Sequence, residues 1–147
     1  MPTCTAWWTA ARHWSSPRRK PPKAGRSDDS SPPRLVGVPP ERMAYAAVPA
    51  ARKALEKARW RAKDVELWEI NETFAAQVLL DCAELAVPEE KANVRGGAIA
   101  LGHPFAATGL RLVLSLLLEL KRRGGRRGAA AISVGGGLGI AACVEAL

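Results

Sequence analysis

A chain of 147 residues is long enough for one domain with a real core and too short for two of typical size. Its hydrophobic fraction of 48% fits a globular protein, and no apolar run reaches the length of a bilayer span, so no membrane span is expected. The formal charge of +8 is unevenly placed: residues 1–34 carry seven Lys or Arg against two Asp, which leaves only +3 for the rest. A short, Pro-broken basic segment is a solvated tail before it is a reader of nucleic acid, and no specific nucleic-acid binding is expected.

Cys4, Cys82 and Cys143 form no spaced pair, which argues against a disulfide framework or a zinc site and favours a reducing, cytoplasmic setting. His13 and His103 are the only histidines, too few for an ordinary metal site, so no metal is expected.

Residues 1–34 read as a disordered, Pro/Ser-rich basic tail. Pro17, Pro21, Pro22, Pro32 and Pro33 interrupt helix and ladder alike. Trp7, Trp8 and Trp14 are unusual for such a tail. The segment lacks the apolar run of a secretory signal, and its prolines oppose the amphipathic helix of an organelle transit peptide. A start unrelated to the fold fits it best.

From residue 35 onward the texture is that of a folded domain. Arg34 to Val38 predicts a short edge strand closed by Pro39-Pro40. Pro49 suits the first turn of a helix with Val48, Ala51, Leu55 and Ala58 inside and Arg52, Lys53, Glu56 and Lys57 outside. Val65 to Ile70 predicts a strand that delivers Asn71, and Phe74, Ala75, Val78, Leu79, Cys82 and Leu85 follow at helical spacing. Between Leu110 and Leu120 only Arg111, Ser115 and Glu119 interrupt an apolar helix, which predicts that protein encloses it on most sides. Gly124-Gly125 ends it behind the basic cluster Lys121-Arg122-Arg123, placed for the negative helix end. Ala129 to Val134 and Ile140 to Val144 predict two adjacent strands joined by a Gly-rich turn. The alternation of strands and helices indicates an α/β fold, a mixed sheet layered with helices, one of them largely buried.

Three segments carry polar groups or bare amides at element edges. His103 precedes Pro104 and the apolar helix, either as a base that the helix N-terminus keeps neutral or as a cap of that helix. Asn71 lies between a strand and a helix, where a capping role is open to it. Glu72 is better suited to orienting that turn than to moving protons. Gly135 to Gly139 can offer amides to an oxyanion. Gly137 to Ala142 also fits G-x-G-x-x-A, but the chain ends too soon after it for the helix and ribose-binding acid of a dinucleotide site.

The order Asn71-Glu72-Thr73-Phe74, then Gly96-Gly97 through Gly102-His103-Pro104, then Ser133-Val134-Gly135-Gly136-Gly137 resembles the C-terminal half of the thiolases, enzymes that make or cleave 3-oxoacyl-CoA. The family pattern is N-E-A-F, G-G-x-x-x-x-G-H-P and C-x-G-G-G, and the likeness covers roughly residues 34 to 147. It implies a thiolase-like C-terminal domain over 35–147 with coenzyme A thioesters as substrates and no bound cofactor. By the same resemblance, His103 matches the histidine that activates the nucleophilic cysteine and helps bind the thioester oxygen. Asn71 matches the asparagine holding an oxyanion-hole water, and the position of Gly135 offers an amide to the oxyanion.

Three departures qualify the likeness. Ser133 stands where the family has a cysteine that protonates the leaving group and abstracts the α-proton, and an alkyl hydroxyl is a far weaker acid than a thiol. The family's nucleophile belongs to an N-terminal half that this sequence does not include. The family's M-G-x-G-P stretch reads Met43-Ala44-Tyr45-Ala46-Ala47, with alanines where glycines allow close approach. The expectation is a thiolase-type acyltransferase half, inactive alone. The alternatives are a split enzyme completed by a partner chain with the N-terminal half, or a non-catalytic binding or scaffold protein that self-associates through exposed apolar surface.

Overall fold

The computed structural model describes residues 33–146, and the tail with Cys4, His13 and the three early tryptophans lies outside the described residues. In chain order the elements are β1 (Arg34–Gly37), α1 (Ala47–Ala58), β2 (Leu67–Ile70), α2 (Ala75–Leu85), α3 (Ala98–Leu101), α4 (Thr108–Arg123), β3 (Arg127–Val134) and β4 (Leu138–Glu145). Short 3-10 turns occupy Pro40–Ala46, Ala62–Asp64 and Glu89–Lys91. The strands form one sheet in the order β1-β4-β3-β2, with β2 and β3 parallel and the other two pairings antiparallel. This is the expected mixed sheet, and β1 is the expected edge strand.

Alternation along the strands sorts side chains onto two faces. Trp68, Ile70, Ala129, Ala131 and Ala141 join the buried alanines of α1 with Cys82 and Leu85 of α2. Leu67, Ala130, Ile132, Ile140 and Val144 meet Leu112, Leu116 and Leu120 of α4 on the other side. β2 is buried along its whole length, because helices cover both of its faces. Small residues set the closeness of these layers. A Cβ at Gly128 would lie 2.8 Å from the Leu116 side chain, and one at Gly139 would fall on the backbone oxygen of Ala46.

α1 follows its sequence pattern: Val48, Ala51 and Leu55 are buried and its charged residues are outside. α2 does not. Its inward face carries Gln77, Asp81, Cys82 and Leu85, whereas Phe74 is 57% and Leu79 is 56% exposed. The apolar spacing is real, but part of it points away from this domain's own core. α4 also corrects its expectation. Leu112, Leu116 and Leu120 are buried, yet Leu118 is exposed and Leu110, Val113, Leu114 and Leu117 are only half-buried. Of the three residues that interrupt the apolar run, Glu119 is buried against Arg122 and Arg123, and Arg111 turns in toward Glu69 of β2. Gly124, at φ 70°, ends the helix in the left-handed region as expected.

Candidate active site

Topology brings the four predicted positions to one end of the sheet. β2 and β3 run parallel, so their C-terminal ends coincide, and Asn71 continues the ladder by donating its N–H to the Ala131 carbonyl at 2.9 Å. Ser133 and Gly135 lie at that end of β3. α4 returns to β3 through a short loop, which puts its N-terminus, and His103 ahead of it, at the same edge. Ligands of α/β sheets collect at the carboxyl ends of parallel strands for this reason. The open hollow lined by Asp64, Glu66, Arg126, Arg127 and Glu145, about 330 Å³, belongs to the opposite end and is not this site.

His103 is not a helix cap. The position before α4 is Ala107, and His103 instead places Nδ1 2.7 Å from the Thr108 hydroxyl. Thr108 is fully buried and commits its one hydroxyl proton to the Pro104 carbonyl at 3.1 Å. With that proton on Pro104, the Thr108 oxygen accepts from His103 Nδ1–H, and in that tautomer of the neutral ring Nε2 is left as a free base. Burial, and then the Arg111 guanidinium, hold the His103 pKa below its ordinary value, which favours the neutral ring. Phe105 meets the imidazole edge-on, with ring centroids 4.9 Å apart, and is itself 82% exposed.

Asn71 is not a cap either. It lies four residues ahead of α2, it is fully buried, and neither its Oδ1 nor its Nδ2 has a partner. The capping work falls to Gln77, whose Oε1 accepts the N–H groups of Thr73 at 3.0 Å and Phe74 at 3.5 Å. Glu72 orients its turn: Oε2 accepts the Ile99 N–H at 2.8 Å and Oε1 accepts from Asn93 at 3.1 Å. A side chain at Gly97 would strike the Glu72 carboxylate, so the glycine pair of the second motif makes room for it.

The Ser133 hydroxyl donates to the Ala44 carbonyl at 3.1 Å. Residues 129 and 131 on the same strand face α1, and alternation gives Ser133 that face, opposite to the one Glu69 and Asn71 share. No hydrogen bond links the side chains of Asn71, His103 and Ser133 to one another. Gly135 has an unstrained φ and open space where a Cβ would sit, whereas Gly136 and Gly137 take φ 85° and 86° to close the hairpin. The Gly137-to-Ala142 run goes from this turn straight into β4, not into a helix. The alanines at 44 and 46 sit in negative-φ helical backbone, which explains why they are accommodated where the family has glycines.

Four contributing residues escape a reading of the sequence. Asn93, at φ 48°, pairs its amide with both backbone groups of Ile70, at 2.8 and 2.9 Å, and steadies the strand end before Asn71. Its place before the Gly96-Gly97 turn is a signal, since Asn tolerates the left-handed region. Thr108, Glu69 and Arg111 give no such signal, because a hydroxyl and two charges inside apolar elements read as solvent-facing. Glu69 is buried, with burial pushing its carboxyl up to about 7 against the opposing pull of Arg111. Cys82 and Cys143 are free, and burial raises both thiols, Cys143 to about 12. Among the described residues no helix is long and apolar enough to cross a membrane, and no group of three or more His, Cys, Asp or Glu is gathered for a metal.

Known proteins resemble this chain in both sequence and fold. The family described as thiolase, C-terminal domain, matches residues 32–146. The acetyl-CoA acetyltransferase of Shinella zoogloeoides is 49% identical over 112 residues, 76% of this chain and 29% of that protein. The cytosolic acetyl-CoA acetyltransferase of Mus musculus is 50% identical over 110 residues, 75% of this chain and 28% of that protein. A crystal structure of the Bacillus anthracis acetyl-CoA acetyltransferase superposes with a TM-score of 0.76 at 49% identity, covering 78% of this chain and 29% of that one. The human mitochondrial 3-ketoacyl-CoA thiolase gives the same TM-score at 42% identity, again over 78% of this chain and 29% of that one. The chain thus spans under a third of the length of these relatives. The family match and these relatives place the chain in the thiolase family, as that family's C-terminal domain.

Proposed function

We propose that this chain supplies the C-terminal half of a thiolase-type acyltransferase site for coenzyme A thioesters, and that these 147 residues alone do not turn over. The observation that carries the proposal is the pair at the strand ends: a neutral His103 with Nε2 free, and a fully buried Asn71 with both amide atoms unpartnered. A nucleophilic thiol from outside these residues would give its proton to His103 Nε2 and attack the thioester carbonyl. The oxygen, negative in the intermediate, would be met by a water held on Asn71 and by the Gly135 amide. The carbonyl would then reform as coenzyme A leaves with the proton. Neither Cys82 nor Cys143 suits the nucleophile's part, since burial raises both thiols. Ser133, whose proton is held by Ala44, keeps a hydrogen bond but not the acid–base chemistry of the family's cysteine.

The purified chain should give no thiolysis of acetoacetyl-CoA with coenzyme A. Turnover that disappears in His103→Ala would overturn its inactivity. Adding a thiolase N-terminal half should partly restore acyl transfer, and His103→Ala should remove it again. Condensation should return only with Ser133→Cys, by a factor of roughly 10². Equal condensation by the Ser133 and Ser133→Cys complexes would clear the serine of blame.

One observation favours a partner. Phe74, Leu79, Leu80, Ile99, Leu101 and Phe105 are all exposed large hydrophobics on α2, α3 and the loop after it. Such a surface suits a thiolase N-terminal half from a split enzyme, or a second copy in a non-catalytic scaffold. We place this protein in the cytoplasm and expect it to self-associate. Light scattering that shows a concentration-independent monomer would count against the self-association.

A further inference from the structure

Among the described residues, seven buried side-chain polar atoms have no hydrogen-bond partner, and six of them belong to three neighbours: Glu69 Oε2, both amide atoms of Asn71, and Nε, Nη1 and Nη2 of Arg111. Alternation along β2 puts Glu69 and Asn71 on the face that α4 covers. Arg111 reaches the same place from α4, with Nη1 4.0 Å from Glu69 Oε2. That separation is too long for a hydrogen bond and is the distance at which a water between the groups must be considered. A guanidinium cannot shed its charge by deprotonation, so its donors need acceptors wherever it is buried.

The composition of the cluster selects its occupant. Arg111 and Asn71 Nδ2 present donors, while Glu69 and Asn71 Oδ1 present acceptors. An apolar group would satisfy none of them, and a small anion would meet the Glu69 carboxylate. Water, which donates and accepts, satisfies both kinds and typically binds two to four such partners when buried.

We infer that Glu69, Arg111 and Asn71 enclose a buried water cluster, and that Glu69 and Arg111 act through it as positioning residues for the Asn71 amide. Arg111 also stands close enough to His103 to oppose its protonation. The same cluster therefore ties the histidine and the asparagine of the site to one buried charge pair. The waters themselves follow from the unpartnered atoms. Only their catalytic meaning rests on the acyl-transfer reading.

A high-resolution crystal structure of the full chain tests the first half. Ordered waters within hydrogen-bond distance of Arg111, Glu69 and Asn71 are expected, and a direct Arg111–Glu69 pair with Asn71 packed dry would overturn the inference. Exchange of the Asn71 side-chain amide protons, read by NMR, tests the second. It should be slow in the unaltered chain and roughly ten-fold faster in Glu69→Met/Arg111→Met. That double change removes both charges together, so it avoids the unpaired buried charge that could unfold a single variant. Glu69→Gln keeps an acceptor and should keep the waters and most of the protection, whereas a merely structural charge pair would lose as much with Gln as with Met. Unchanged Asn71 exchange in the double variant would refute the positioning role. These measurements read hydration and not turnover, so failure of the complementation assay leaves them standing, and the reverse.

Discussion

The two faces of the sheet differ in what they bury. Toward α1 and α2, the strands present Trp68, Ile70, Ala129, Ala131 and Ala141, all buried and apolar. Toward α4 they present an apolar floor of Leu67, Ala130 and Ile132, but at the strand end that floor gives way to Glu69, Asn71 and Arg111 with their polar atoms unmet. The first face follows the ordinary rule for interiors, and the second breaks it at the edge where His103 also stands. Unpartnered buried groups cost stability, and a fold keeps them where something else is meant to meet them.

The largest effect that tests this contrast is a deletion on each face. Trp68→Ala should cost about 3–5 kcal/mol, because it empties a fully packed position. Asn71→Ala should cost less than about 1 kcal/mol, because it removes polar atoms that no protein group meets. Urea unfolding of both variants measures the difference. Comparable losses would erase the distinction between the faces.

The second effect is a stability maximum at mildly acid pH. Burial raises Asp81 on α2 from 3.8 to about 6 and Glu69 from 4.5 to about 7. Between those values the folded chain holds protons that the unfolded chain has released, so stability falls as pH rises from about 4 to 7. Asp64 and Glu119 act in the opposite sense. Hydrogen bonds from Arg61, and from Arg122 and Arg123, hold them at about 2, and their contribution is lost as pH falls below about 4. Thermal unfolding should therefore peak near about pH 4. Asp81→Asn should remove much of the decline on the alkaline side, of order 3 kcal/mol for a shift of two pKa units. A flat profile would show that these carboxyls are not buried as described.

A third comparison sets two glycines against each other. Gly139→Ala should destabilise by about 1–3 kcal/mol, since the added methyl meets the Ala46 carbonyl oxygen. Gly135→Ala should change stability by less than about 0.5 kcal/mol, because nothing lies near its Cβ and its φ is ordinary. If Gly135→Ala then weakens acyl transfer in a complemented site, the loss belongs to the amide's surroundings and not to folding. The smallest effect is on a tautomer. Thr108→Val removes the acceptor for His103 Nδ1–H, and ¹⁵N shifts should move toward the Nε2–H form with the fold intact. An unmoved tautomer would mean that something else orients the ring.

Most of the architecture was legible in the residues. The apolar stripe Val48, Ala51 and Leu55, the hairpin around Gly135 to Gly137, and the Gly124 stop each reflect a local preference that tertiary packing reinforced. The misread stretches were α2 and α4, where spacing showed an apolar face but not which partner it faces. Phe74 and Leu79 are helical in period yet point away from this domain's core, and Arg111 is charged yet points into it. Hydrophobic periodicity records how many apolar sides an element has, without recording what covers each.

The same limit separates the parts of the site. The order of its motifs along the chain was enough to point to the thiolases, because each motif is a short run whose glycines, prolines and polar residues have local work. Whether Asn71 capped a helix, and which nitrogen of His103 carries the proton, depended on atoms far apart in sequence. Asn93 meets Ile70 across 23 residues, and Arg111 approaches Glu69 across 42. Hydrogen bonds fix such roles through ångström-scale geometry, and that geometry arises only when β2, β3 and α4 are packed together.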